Sequence, residues 1–295
     1  MKIVVTSNCQ TAGVALGLRL FFPGATIRAI PLPATGNTIE LEKIHRELAD
    51  TDYWITSGNE ELGGEDMQFH SQLQIFRIPV ISFQAFHPDL CYARRSSTHE
   101  LTTLHYNSAI VVWGYINGYP VDAVARLFNE TVFDKLGYFD YWDVSKKHLH
   151  KLFMNSDLGE AEFSRFFLSI QRRGVFMHSI NHAKMDTLVD LARLIALRMG
   201  YSGSIWDIEA ILPDALVHDM VWPVYPEIGH ELGIAGSYIW KMRQDFIEGV
   251  AAYATYAYGS YCRQGMERHN FEIVGSYHGW DYQKLHEVLS QNVEN

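Results

Sequence analysis

Cysteine is scarce in this chain: three residues in 295, at positions 9, 91 and 262. Spacing that wide gives neither a disulfide framework nor a CxxC metal motif, and an odd count leaves at least one thiol free. Long apolar runs are missing too. The longest uncharged stretch, residues 249–262, is rich in Ala, Gly and Tyr and falls short of the roughly 20 apolar residues a membrane span needs. The first residues hold one lysine and then only Ile3-Val4-Val5, without the long apolar segment of a secretory leader, so a cytoplasmic protein is expected. Basic residues are outnumbered, 24 against 34 acidic ones, and a net charge of -10 argues against a nucleic-acid partner. No Gly-x-Gly-x-x-Gly follows a strand and no Gly-Lys-Ser/Thr occurs, which speaks against dinucleotide and P-loop sites; HExxH is absent as well.

What is present is an ordinary folded composition, 47% apolar and 20% charged, in a chain long enough to bury a substantial core. The first ninety residues alternate between two periods. KIVVT (2–6) reads as a strand, residues 10–22 as a helix stopped by Pro23-Gly24, and ATIRAI (25–30) as a second strand. Asn37 and Glu40 form a capping-box pattern ahead of a helix lined by Leu41, Ile44 and Leu48; YWITS (53–57) and IPVISF (78–83) read as further strands. The expected fold class is therefore α/β, an N-terminal parallel sheet flanked by helices, with functional loops at the carboxyl ends of the strands. Beyond about residue 92 the pattern is mostly helical, with one more strand expected at AIVVWGYI (109–116). Pro120 is placed to open a helix, Asp157 and Glu160 form another capping-box pattern, and Gly174 and Gly200 suit helix ends. The division expected is an α/β part over residues 1–95 and a mostly helical part over 96–295, packed as one unit.

Cys9 stands on the first strand-to-helix turn, over a helix N-terminus whose unpaired N–H groups, those of Gln10 and Thr11 among them, favour an anion. A thiol there can ionise near neutral pH, and the same N–H groups can hold an oxyanion on a carbonyl the sulfur attacks. Taken alone, a lone cysteine is more often a small buried packing residue. Two other strand ends tip the balance: YWITS runs into Gly58-Asn59-Glu60, and IPVISF runs towards His87-Pro88-Asp89. A cysteine, an amide, a histidine and a nearby carboxylate on one sheet edge are the parts of a nucleophilic acyl-transfer site, with Cys9, His87 and Asp89 as the candidate catalytic set. Further along, HSINH sets His178 and His182 four residues apart, on one face if helical; a zinc site there lacks an evident third ligand, and no metal is expected.

The stretch SNCQTAG resembles the first signature block of SGNH/GDSL hydrolases, with Cys9 in the nucleophile position, and Gly58-Asn59-Glu60 is a looser echo of their Gly-x-Asn-Asp block. The chain more closely resembles the WcbI-type polysaccharide-biosynthesis family, through Asn8-Cys9-Gln10, His87-Pro88-Asp89 and Asn181-His182. That resemblance implies an acyltransferase, an O-acetyltransferase acting on a sugar or polysaccharide precursor in capsule synthesis, with acetyl-coenzyme A as co-substrate. Oxyanion or substrate-binding roles are expected for Asn8, Gln10, Asn59, His178, Asn181 and His182, of which Asn8, Gln10, Asn181 and His182 match the motifs of that family. Arg94 and Arg95, just past the His-Pro-Asp loop, are candidates for the coenzyme phosphates, although a solvated charge pair explains them equally well. One feature departs from the hydrolase pattern: His87 comes early and precedes Asp89, whereas the SGNH histidine lies late and follows its aspartate. The same parts would also serve an esterase or thioesterase with water as acceptor, or a non-catalytic coenzyme A or glycan-binding protein.

Overall fold

The computed structural model describes residues 1–32, 38–58, 70–203, 212–275 and 281–293, arranged as two compact units of two segments each. The first unit takes residues 1–82 and 147–218, the second 83–146 and 219–295. Asn37 of the expected capping box, Asn59 and Glu60 lie outside the described residues.

The first unit is α/β. Strands β1 (Lys2–Ser7), β2 (Thr26–Pro31), β3 (Tyr53–Thr56) and β4 (Gln74–Arg77) form a parallel sheet in the order β2-β1-β3-β4. Helices α1 (Thr11–Phe21) and α2 (Thr38–Leu48) make the crossovers. The chain moves one way from β1 to β2 and the opposite way from β2, past β1, to β3, so right-handed connections put the two helices on opposite faces. Residues 3–7 of β1 are all buried, as a strand covered on both sides must be. Val4 packs with Ile44 and Leu48 of α2 and with Trp54, whose Nε1 donates to Thr6 Oγ1 at 2.8 Å. Ile3 and Val5, by the period of two, face the α1 side.

The expected strand at 78–83 forms no ladder; pairing stops at Arg77, and Pro79 has no N–H to continue it. The return segment adds α7 (Glu160–Gln171) and α8 (Met185–Arg198). Helix α7 does not start at the expected Asp157 cap: Gly159 donates its N–H to Glu162 Oε2 at 3.0 Å, while Asp157 accepts the N–H of Arg77. Gly200 follows α8 with φ +89°, the left-handed conformation expected of a helix-ending glycine.

Helices α1 and α8 run parallel and unusually close. A Cβ built on Gly13 would clash with Leu188, and one on Gly17 would lie 2.8 Å from the Cβ of Ala192. One turn along α1 therefore matches one turn along α8 in the same direction, and both N-termini arrive at the same end.

The second unit is mainly helical around a small antiparallel sheet ordered β6-β5-β9: β5 (Leu90–Arg95) in the centre, β6 (Asn107–Ser108) and β9 (Phe271–Val274) at the sides. A hairpin of β7 (Ile239–Met242) and β8 (Asp245–Glu248) completes its β-structure. Residues 109–116, expected as a strand, form helix α3 (Ala109–Ile116). Ser108 caps it, its side chain accepting the N–H of Val111, and Ala109 to Tyr115 are all buried. Burial on every side removes the amphipathic period that would have marked the run as helical. Pro120 opens α4 (Val121–Ala125) as expected, followed by α5 (Glu130–Leu136) and the start of α6 (Tyr141–Met154). The second segment contributes α9 (Pro226–Leu232), α10 (Val250–Arg263) and α11 (Tyr282–Val293). Trp240 and Tyr253 stack at 4.3 Å in its core. Among the described residues no helix is long and apolar enough to cross a membrane.

Candidate functional site: a cysteine on the first strand-to-helix turn

The sheet order reverses direction between β1 and β3, and in open parallel sheets ligands bind in the crevice at the carboxyl ends of the strands flanking that switch. The turn after β1 is Asn8-Cys9-Gln10. Cys9 is exposed, and Gln10 behind it is 1% exposed.

Gln10 is a clamp. Its Nε2 donates to the carbonyl oxygens of Ile81 (2.6 Å) and Asn181 (2.8 Å), and its Oε1 accepts the N–H of Ile81 (3.1 Å). The carboxamide thus does for residue 81 what a neighbouring strand's peptide would do. Asn8 also works locally: its Oδ1 accepts the N–H of Gln10, and its carbonyl oxygen accepts both the N–H and the hydroxyl of Thr11. The two N–H groups expected to face an oxyanion are therefore already bound within the turn.

Asn181 belongs to a tight turn ahead of α8. The Met177–Ala183 bridge and the bond from His178 N–H to His182 O (2.7 Å) close it. His178 and His182 thus stand on opposite legs of this turn, not on one face of a helix. Its carbonyl at Asn181 lies 3.9 Å from Cys9 Sγ. His178 is buried, and its Nε2 lies 2.8 Å from Asp214 Oδ2. A carboxylate only accepts, so Nε2 carries a hydrogen, and in the neutral imidazole Nδ1 then has the lone pair. Asp214 also accepts the N–H groups of Met185, at the start of α8, and Leu216. Burial pushes the Asp214 carboxyl up, but the bonds from His178 and these N–H groups outweigh it and hold the group below the ordinary aspartate value. Lys184 beside it is shifted down by burial, against the pull of Asp186 and Asp214.

Asp214 was not visible as a site residue in the sequence. Its partners His178 and Met185 are 36 and 29 positions away, and the local signal is a Pro-Asp pair of the sort any turn carries.

His87 and Asp89 belong to the second unit. His87 is 1% exposed in a turn closed by Gln84, its ring beside Phe86. Asp89 is fully buried: Oδ1 accepts Ile110 N–H and Tyr138 OH (both 3.1 Å), and Oδ2 accepts Tyr225 OH (2.8 Å). Burial drives its carboxyl up to about 6 despite those bonds and one from Ser108. This is an anchor for the N-terminus of α3. Arg94 pairs with Glu272 across β5 and β9, and Arg95 donates to the carbonyls of Gln264 and Gly265, so both guanidinium groups have partners within their own unit. Among the described residues no group of three His, Cys, Asp or Glu side chains is placed to hold a metal ion.

A parallel α/β unit with an exposed cysteine on the turn at its switch point, met by the Asn181 carbonyl of a second turn that also carries a histidine–carboxylate pair, defines a class: open α/β proteins with a thiol at the carboxyl edge of the sheet. The family profile described as polysaccharide biosynthesis enzyme WcbI matches residues 2–204, and the chain belongs to that family. A solved structure of WcbI, called a novel polysaccharide biosynthesis enzyme, shares the fold at a TM-score of 0.65 and 12% identity, covering 100% of this chain and 95% of that one. That structure is described as the native protein without a disulfide bond between coenzyme A and one of its cysteines. No curated protein matches the chain significantly.

Proposed function

We propose that this polysaccharide-biosynthesis enzyme is an acyltransferase that takes an acetyl group from acetyl-coenzyme A at Cys9 and passes it to a sugar hydroxyl. The observation that carries the reading is an exposed thiol at the N-terminus of α1, in a turn fixed by Gln10 and met by Asn181 of the turn ahead of α8. The α1 dipole favours negative charge there, on the thiolate and on the oxyanion that follows. The pairing of coenzyme A with a cysteine in the description of the WcbI structure supports the choice of donor.

In the first half-reaction the Cys9 thiolate attacks the thioester carbonyl, the tetrahedral oxyanion collapses, and coenzyme A leaves as a thiol after protonation. In the second, the sugar hydroxyl attacks the acetyl-cysteine, gives its proton to a base, and the Cys9 thiolate leaves. We assign the proton transfers to His178 through Nδ1, because it stands on the turn that meets Cys9 and Asp214 fixes its tautomer. With Gln10 and Thr11 bound to Asn8, the N–H groups of Ala12 and Gly13 are the oxyanion donors in this scheme. His87 and Asp89 are given the organisation of the second unit. The same parts with water as acceptor would make a thioesterase.

Intact-mass analysis after incubation with acetyl-coenzyme A tests this directly. An adduct of about 42 Da, one acetyl group replacing a hydrogen, is expected on the wild type and absent from Cys9→Ala. An adduct that survives in Cys9→Ala, or binding of coenzyme A without any adduct at short times, removes the covalent scheme. Turnover without added sugar identifies the hydrolase.

A further inference from the structure

The second unit contains a cavity of about 540 Å³ that none of the chemistry above uses. It lies where the β7–β8 hairpin and the end of α10 meet, and Arg243, Arg263, Asp219, Asp245, Tyr256 and Met242 are among its lining residues.

Two features set this cavity apart from a surface dent. The first is its charge arrangement: among the described residues neither Arg243 nor Arg263 lies within ion-pair distance of a carboxylate, although two aspartates line the same space. Arg263 ends α10, where any cation complements the negative end of the helix dipole. Arg243 has no such local reason. The second feature is the backbone at Arg243. Met242 pairs with Asp245, which leaves a two-residue loop of Arg243 and Gln244, and Arg243 alone of the two has positive φ, +60°. That is the type II′ pattern, whose first loop position normally takes glycine. An arginine held there keeps strain that a glycine would relieve, and Lys241 braces the tip by donating to the Arg243 carbonyl.

We propose that this cavity binds a pyranosyl phosphate. Two guanidinium groups supply paired donors for the phosphate oxygens. Asp219 and Asp245 accept from sugar hydroxyls, which an anion-only site would have no use for and would be weakened by. Tyr256, 39% exposed, supplies an aromatic ring for the apolar side of the sugar, and the buried Met242 also lines the space. The volume suits a ligand of this size. The sugar half of the assignment rests on the acyl-to-sugar reading; the phosphate half rests on the arginines alone.

The test is calorimetric titration of the full chain with the 1-phosphates of glucose, galactose and N-acetylglucosamine, with the free sugars and with inorganic phosphate. At least one sugar phosphate is expected to bind more tightly than both its free sugar and inorganic phosphate, with affinity falling as salt rises. Arg243→Gln and Arg263→Gln should each weaken it about tenfold, the loss of one charge-assisted contact. Arg243→Gly should lose the same affinity while its Tm stays at or above that of the wild type, which separates ligand contact from folding. Failure of all three sugar phosphates to bind, binding of phosphate as tight as that of any sugar phosphate, or unchanged affinity in the arginine variants would overturn the assignment. The readout is binding in the second unit, so it stands or falls separately from the acetyl adduct on Cys9.

Discussion

The carboxamide of Gln10 pairs with the peptide groups of Ile81 at both ends, Nε2 to the carbonyl oxygen at 2.6 Å and Oε1 from the N–H at 3.1 Å. A side chain takes the place of a strand, and in doing so fixes the turn that carries Cys9. Replacing Gln10 with Leu would remove the side-chain partner of the buried Ile81 N–H and carbonyl and one donor to the Asn181 carbonyl. A loss of about 2–4 kcal/mol in urea unfolding is expected, with a much slower acetyl adduct. Gln10→Glu keeps the size but removes both donors and should be no better.

The close contact of α1 and α8 predicts a compensating pair. Gly17→Ala puts a methyl group where the Ala192 Cβ already lies 2.8 Å away, so the helices must part and the end that holds Cys9 and Asn181 loosens. A destabilisation of about 1–3 kcal/mol is expected from overpacking. Adding Ala192→Gly should restore adduct formation more than it restores Tm, because the new glycine carries its own helix penalty of about 1 kcal/mol.

Asp214→Asn should keep the N–H contacts of Met185 and Leu216 in part but no longer fix the His178 tautomer. A fall of about 100-fold or more in acetyl transfer is expected if His178 is the base. Stability supplies an independent readout. The Asp214 carboxyl is lowered in the folded state, so its contribution is present above the ordinary aspartate value and is lost as pH falls through the folded one. The stability gap between wild type and variant should therefore be constant near neutrality and close only below about pH 4.

Asp89 has the opposite sign. Its folded carboxyl titrates at about 6, above the unfolded value, so the native state binds the extra proton between about pH 4 and 6. Stability attributable to this group falls as pH rises through that window and is level above it, a change on the order of 3 kcal/mol. Denaturation profiles of the wild type minus Asp89→Asn should show this limb, and a flat difference across pH 4–6 would show that Asp89 is ionised in the fold at all of these values.

The N-terminal sheet and the Cys9 turn were legible because their determinants are local. Ile3-Val4-Val5 alternates faces, Pro23-Gly24 ends a helix, and the polar turn lies between a strand and that helix. Helix α3 was not legible as a helix, since an all-apolar run buried on every side carries no period to read. Residues 78–83 look like a strand for the same reason, yet Pro79 cannot donate and the next partner is the Gln10 side chain. His178 and His182 suggested a helical pair by spacing alone, whereas their backbone groups bond each other across a turn.

Sequence by itself determined which residues could do chemistry: a thiol on a strand-to-helix turn, amides beside it, and histidines with turn neighbours. Tertiary structure decided which of them meet. The glycines at 13 and 17 let α8 lie against α1, and that approach brings Asn181 to Cys9 across 172 positions of chain. Asp214 reaches His178 and the start of α8 only because hydrogen bonding reads distance in space, and spacing along the chain carries no record of it.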